Sequence, residues 1–184
     1  MFVGHLGVAF AAKRATPATS LGWLVAAVTF ADLLWPIFLL GGIETARVER
    51  GATPVTPLVF ESYPWSHSLL MMLVWGIGLG ALARWRGVDT RGMWWIVALV
   101  VSHWVLDVVT HVPDMPLWPG ASPRFGLSLW NSIPASFAVE GALWIACLTV
   151  YLRAQKARSW VGHLACLSYV QINTPKWASC TRGT

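Results

Sequence analysis

Four apolar runs, near residues 21–41, 66–83, 93–111 and 132–152, constrain this chain more than any other feature. Each approaches the roughly 20 residues that a helix needs to cross a bilayer. In hydrocarbon, backbone N–H and C=O groups must be bonded within the protein, so runs of this length are expected to be helices. Hydrophobic residues make up 56% of the 184 positions and charged residues 11%, where a soluble domain carries about 25% charged. The 13 tryptophans suit a membrane–water interface. The expected fold is all-α, a polytopic membrane helix bundle of about four transmembrane helices plus a short N-terminal half-helix. That half-helix comes from the apolar stretch Phe2–Ala12, too short to span; a re-entrant or an interfacial segment fits it equally well. No basic residues precede that stretch, which makes it a poor signal peptide. Residues 1–158 read as one membrane-embedded domain and 159–184 as a poorly specified tail.

Basic residues alternate between the connections. Lys13 and Arg14, then Arg84, Arg86 and Arg91, then Arg153, Lys156 and Arg158 mark one side with eight positive charges. The other side holds three, Arg47, Arg50 and Arg124, beside Glu44, Glu49, Glu61 and Asp114. The positive-inside rule places segments 42–65 and 112–130 outside the cytoplasm. Both are rich in proline, so structured loops are expected there. This scatter of charge is a topology signal, and no nucleic-acid surface is expected. Cys147, Cys166 and Cys180 show no CxxC spacing and give neither a metal nor a disulfide framework.

Ionisable residues lie inside these runs. His103, Asp107 and His111 are spaced i, i+4, i+8 and drift only about 80° around a helix, which makes one polar stripe. Asp32 sits in the first span, His67 opens the second between Ser66 and Ser68, and Glu140 follows Ser132 and Ser136 along the fourth. His5 reaches the same depth if the N-terminal segment dips into the bilayer. An isolated ionisable group at the bilayer centre costs at least about 2.5–3.5 kcal/mol. Three intramembrane carboxylates and a buried histidine therefore need something to offset them. Imidazole and carboxylate at i, i+4 form a workable chelating pair for zinc or manganese, and a divalent cation would neutralise the acids. Taken singly, His5 and His67 read as helix–helix hydrogen bonds, and Asp32 as a carboxylate paired with a serine or a lysine. A Ser66–His67 nucleophile–base pair is disfavoured, because adjacent helical residues do not face each other. Gly76, Gly78 and Gly80 permit close helix packing.

These blocks together resemble the bacterial inner-membrane metal-dependent hydrolases of the YdjM-like group. That pattern has an early histidine, an acidic motif in the first span, a His-Ser pair opening the next and a later His-x-x-x-Asp. The matching positions are His5, Asp32, His67 with Ser68, and His103 with Asp107, over roughly residues 1–152. Two departures stand out. Ala31 and Leu34 replace the proline and second aspartate of a Pro-Asp-x-Asp motif, and Ser62 stands where a further histidine would be. The resemblance implies an integral protein of the inner (plasma) membrane with a divalent metal, zinc, as cofactor. It also implies distant similarity to zinc-dependent phospholipase C and related nucleases, and hence a phosphoester substrate.

The expectation is a zinc-dependent hydrolase acting on a small-molecule or lipid-linked substrate from within the bilayer. His67, His103 and Asp107 are expected as ligands, completed by Asp32 or His5. Glu140 or Asp32, whichever does not ligate, would serve as general base, and His111 would ligate or protonate the leaving group. The competing expectations are a transporter or proton relay built on the same residues, and an inactive scaffold whose polar groups lock the helices. Oligomeric state is not legible in any of these features.

Overall fold

The computed structural model describes Met1 and residues 3–154; the expected tail over 159–184 lies outside the described residues, as do Cys166 and Cys180. The N-terminal apolar stretch forms α1, Val3–Ala15. A turn held by the Lys13 ammonium, which donates to the carbonyls of Pro17 and Thr19, leads to Ser20. Ser20 accepts the Trp23 N–H and so caps α2, Leu21–Val28. Next come α3, Phe30–Leu40, and an antiparallel hairpin of β1, Thr45–Val48, with β2, Leu58–Ser62. A single turn, α4, Pro64–His67, ends where Ser68 turns extended and caps α5, Leu69–Trp85. Asp89 accepts the Gly92 N–H to start α6, Thr90–Thr110. A two-residue ladder pairs β3, Met115–Pro116, with β4, Arg124–Phe125, before α7, Ile133–Ala154. Mostly helical architecture is thus borne out.

Two of these helices, α6 and α7, are long and apolar enough to cross a bilayer, and α2 with α3 makes a third if counted together. That third crossing is not the straight helix expected over 21–41. It bends by 50° at Thr29, whose hydroxyl donates back to the Val25 carbonyl and whose backbone leaves helical geometry. Hydroxyl back-bonding of this kind competes with the helix ladder and bends helices. The run at 66–83 becomes the 17-residue α5, about 26 Å long at 1.5 Å per residue, against a hydrocarbon core of about 30 Å.

Small residues set the packing. In α5, a Cβ on Gly76 would stand 3.2 Å from the Val97 carbonyl oxygen, and one on Gly80 3.0 Å from Val97 Cγ2. Those two glycines let α5 lie against the backbone of α6, whereas Gly78 faces open space and plays no such part. Gly7 likewise admits α7, and Ala9, Ala12, Ala27 and Ala31 bring α1 and α2 into one core with Leu24, Leu99 and Val100. Large apolar side chains such as Ile37, Ile77, Phe137 and Ile145 point outward, as a lipid-facing surface requires.

The ends of the bundle differ. α1 runs parallel to α7, with Val3 against Glu140 and Phe10 against Tyr151, so Lys13, Arg14 and Arg153 share one end. The α5–α6 turn joins them there, because Thr19, Val88 and Asp89 crowd around Gly92. Core residues occupy the basic half of the bundle, and the ionisable side chains sit beyond them at the other end, under the hairpin.

Candidate metal centre

Four separate pieces of chain deliver five ionisable side chains to one spot. The first turn of α1 brings His5, the start of α3 brings Asp32, the end of α4 brings His67, and successive turns of α6 bring His103 and Asp107. Two overlapping triads result, His5–His103–Asp107 and Asp32–His67–His103, with the donor atoms of each within 4.8 Å of one another. These are the five residues that the sequence singled out as ligands, and the structure brings them together.

Asp107 sits at the centre. Its Oδ1 lies 3.0 Å from His5 Nε2 and its Oδ2 lies 3.0 Å from His103 Nε2. The two imidazoles stack in parallel with centroids 3.9 Å apart. The Met1 amino group also reaches Asp107 Oδ1, at 2.5 Å, and Thr110 Oγ1, at 3.2 Å. Asp32 approaches from the far side, with Oδ1 3.6 Å from both His67 Nε2 and His103 Nε2. At 3.6 Å neither contact is a hydrogen bond. It is close to the spacing of co-ligands, since two atoms about 2.05 Å from a tetrahedral zinc stand about 3.3–3.4 Å apart.

The other ring nitrogen decides what each histidine can do. His103 Nδ1 is 2.6 Å from the Val28 carbonyl, which the bend between α2 and α3 presents to it. A carbonyl only accepts, so the neutral ring carries its proton on Nδ1 and its lone pair on Nε2. That buried Nε2 faces carboxylate oxygens from Asp32 and Asp107 and makes no aligned hydrogen bond among the described residues. The arrangement calls for positive charge at that nitrogen, from a proton on the ring or from a bound cation. Because Nδ1 is committed, His103 has a single nitrogen to offer, and one lone pair serves one ion. The two triads therefore share His103 and its one free nitrogen. Three neutral imidazoles and two carboxylates carry −2, of which the Met1 ammonium on Asp107 offsets one; an N/O donor set of this kind is one that could hold a divalent ion.

The stripe expected along the third span divides. α6 ends at Thr110 and His111 is extended, and His111 belongs to neither triad. His111 Nδ1 lies 3.1 Å from Asp114 Oδ1, and the Tyr63 hydroxyl donates to the same oxygen at 2.7 Å. Burial, reinforced by the Asp114 carboxylate, holds the Tyr63 hydroxyl protonated well above its usual range. Glu140 stands apart from the five. Its Oε2 accepts the Val3 N–H at 3.0 Å, tying the start of α1 to α7.

A cavity of about 360 Å³ joins the cluster to His111. Asp32, His67, Asp107 and His111 form its polar floor, and Trp35, Phe60 and Trp130 stand in its apolar walls. Asp32, with 54% of its side chain exposed, faces this space, while His103 is sealed beneath it.

Ser66 and His67 do pair, against expectation, with Ser66 Oγ 2.7 Å from His67 Nδ1. The prohibition on adjacent partners belongs to regular helices, and α4 is a lone turn that ends at His67. Ser66 is fully buried and also bonded to Glu44, so it is not placed to act as a nucleophile. Glu44 had no signal in the sequence that set it apart from Glu49 and Glu61. Those two pair with Arg47 on the surface, whereas Glu44 is buried against α4.

Comparison with known proteins gives two findings. The family model described as YdjM inner membrane protein matches residues 1–177. An apolipoprotein N-acyltransferase of Nostoc sp. (strain PCC 7120 / SAG 25.82 / UTEX 2576) is 31% identical over 101 residues, 55% of this chain. The match spans only 16% of that protein's length. No solved structure matches the chain at a significant level.

Proposed function

Because the chain belongs to the YdjM inner membrane protein family, and is with it an integral inner-membrane protein, we propose that it is a mononuclear metal-dependent hydrolase. In this reading α5 makes a fourth crossing, and the centre lies in the outer half of the bundle. The observation that carries it is His103 Nε2, a buried ring nitrogen held against two carboxylates by the bond from Nδ1 to the Val28 carbonyl.

His5, His67, His103, Asp107 and Asp32 would hold the ion, with zinc the best fit to the donors. A bound zinc ion would supply Lewis acidity there, with a phosphoryl oxygen to polarise and a water whose pKa would fall towards about 7. Asp32, open to the cavity, would complete the ligand set or, left unligated, take a proton from the attacking water. His111 sits across the same cavity with Nδ1 fixed by Asp114, which leaves Nε2 to protonate a leaving group. Glu140, expected as an alternative base, is occupied by the Val3 N–H and is assigned a structural role. An ionic floor under aromatic walls favours a substrate with a charged head and an apolar tail, such as a lipid-linked phosphoester. The acyltransferase likeness adds only that related sequence occurs within an enzyme.

Purified protein in lipid nanodiscs, offered lipid-linked phosphate esters, should release the product, lose activity to a chelator and regain it with zinc. Equal rates with and without chelator would refute the proposal. The bend between α2 and α3 is the observation that favours a transporter, since broken helices line many transport sites. Liposome flux that persists after metal removal would favour that second reading.

A further inference from the structure

His67 is positioned by a chain of hydrogen bonds that begins outside the cluster, in the loop ahead of the hairpin. We propose that Glu44, acting through Ser66, fixes the tautomer of His67 so that its Nε2 is available to the ion; this rests on the metal-centre reading and adds Glu44 to it as a positioning residue.

Glu44 is buried, and its two oxygens divide the work. Oε1 accepts the N–H groups of Trp65 and Ser66, both at 2.8 Å, and so holds the α4 turn. Oε2 accepts the Ser66 hydroxyl at 2.7 Å. A carboxylate only accepts, so the one hydroxyl proton of Ser66 goes to Glu44. The Ser66 oxygen is then an acceptor for its other close neighbour, His67 Nδ1 at 2.7 Å. Direction therefore propagates along the chain. The proton of His67 is drawn to Nδ1, and its lone pair stands on Nε2, 3.6 Å from Asp32 Oδ1. The same logic orients His103 through the Val28 carbonyl, so both histidines that flank Asp32 are set by partners behind them, as ligating histidines commonly are. Capping alone would need only Oε1. The bond from Oε2 to Ser66 is the part that capping leaves unexplained.

Glu44→Gln separates the two roles. The amide oxygen still caps α4, but the amide nitrogen now donates to Ser66 Oγ. That frees the serine proton for His67 Nδ1 and favours the tautomer protonated on Nε2. Ser66→Ala removes the relay and leaves both of Glu44's backbone bonds in place, and Ser66→Thr restores a hydroxyl.

The test is ¹⁵N spectroscopy of histidine-labelled full-length protein, stripped of metal, with the His67 signals assigned by their loss in His67→Gln. The wild type and Ser66→Thr should show Nδ1 protonated and Nε2 bare. Glu44→Gln and Ser66→Ala should shift His67 towards the opposite tautomer, and zinc affinity should fall about 10–100-fold in both. An unchanged His67 tautomer in folded Ser66→Ala overturns the proposal, as does an equal loss in Ser66→Ala and Ser66→Thr. Should Glu44→Gln fail to fold, the two serine variants decide. Since the tautomer is read without metal, a wild type that binds no zinc refutes the metal centre while leaving this result to stand or fall separately.

Discussion

Asp107→Asn removes a charge that two imidazoles share. Asp107 Oδ1 and Oδ2 each stand 3.0 Å from a ring nitrogen, His5 Nε2 and His103 Nε2. Asparagine keeps the shape and one oxygen but turns the other contact into an NH₂ donor aimed where a cation should sit. Four-ligand protein sites hold zinc by about 10–16 kcal/mol, so one ligand's share is about 2.5–4 kcal/mol. At about 1.4 kcal/mol per decade, that weakens binding roughly 100- to 1,000-fold. Competition against a chromophoric chelator in detergent measures it directly. Thermal unfolding gives an independent reading, because a ligand stabilises only the protein that binds it. Zinc at 100 times the wild-type Kd adds about 2.7 kcal/mol to the wild type, and about 0.4 kcal/mol to a variant 100-fold weaker. A variant that binds zinc within threefold of the wild type, or gains equal stability from it, would refute the assignment of Asp107 as a ligand.

Other consequences concern the surroundings of the centre. His111→Gln should lower turnover by about 10²- to 10⁴-fold with zinc content unchanged, and loss of the metal along with the activity would show that His111 is a ligand. Gly76→Val should drive its side chain into the Val97 backbone of α6 and cost about 1–3 kcal/mol by overpacking. Gly78→Ala, which meets open space, should hold or raise the melting temperature, and equal losses at the two sites would contradict the packing of α5 on α6.

Much of this was legible because hydrocarbon forces a simple code. Long apolar runs announced the helices, and spacing along one of them picked out His103 and Asp107, while His5, Asp32 and His67 joined them through the resemblance to the YdjM-like pattern. What stayed hidden lay where the helical period stops. His111 was assigned to the stripe of His103 and Asp107 by extending a helix that ends one residue earlier, at Thr110. The bend at Thr29 carries no proline or glycine to announce it, yet it presents the Val28 carbonyl that orients His103. Ser66 and His67 were judged unable to meet because a regular helix was assumed where the chain makes one turn. Glu44 belongs to a loop, where no periodicity separates a buried acid from its solvated neighbours.

The most direct test is elemental analysis of the purified protein after equilibration with zinc, wild type beside His103→Ala and Asp107→Ala. One ion per chain in the wild type, and a small fraction of that in either variant, is the result predicted from a single centre built around His103. A wild type that retains no ion, or variants that retain as much as it does, would contradict it.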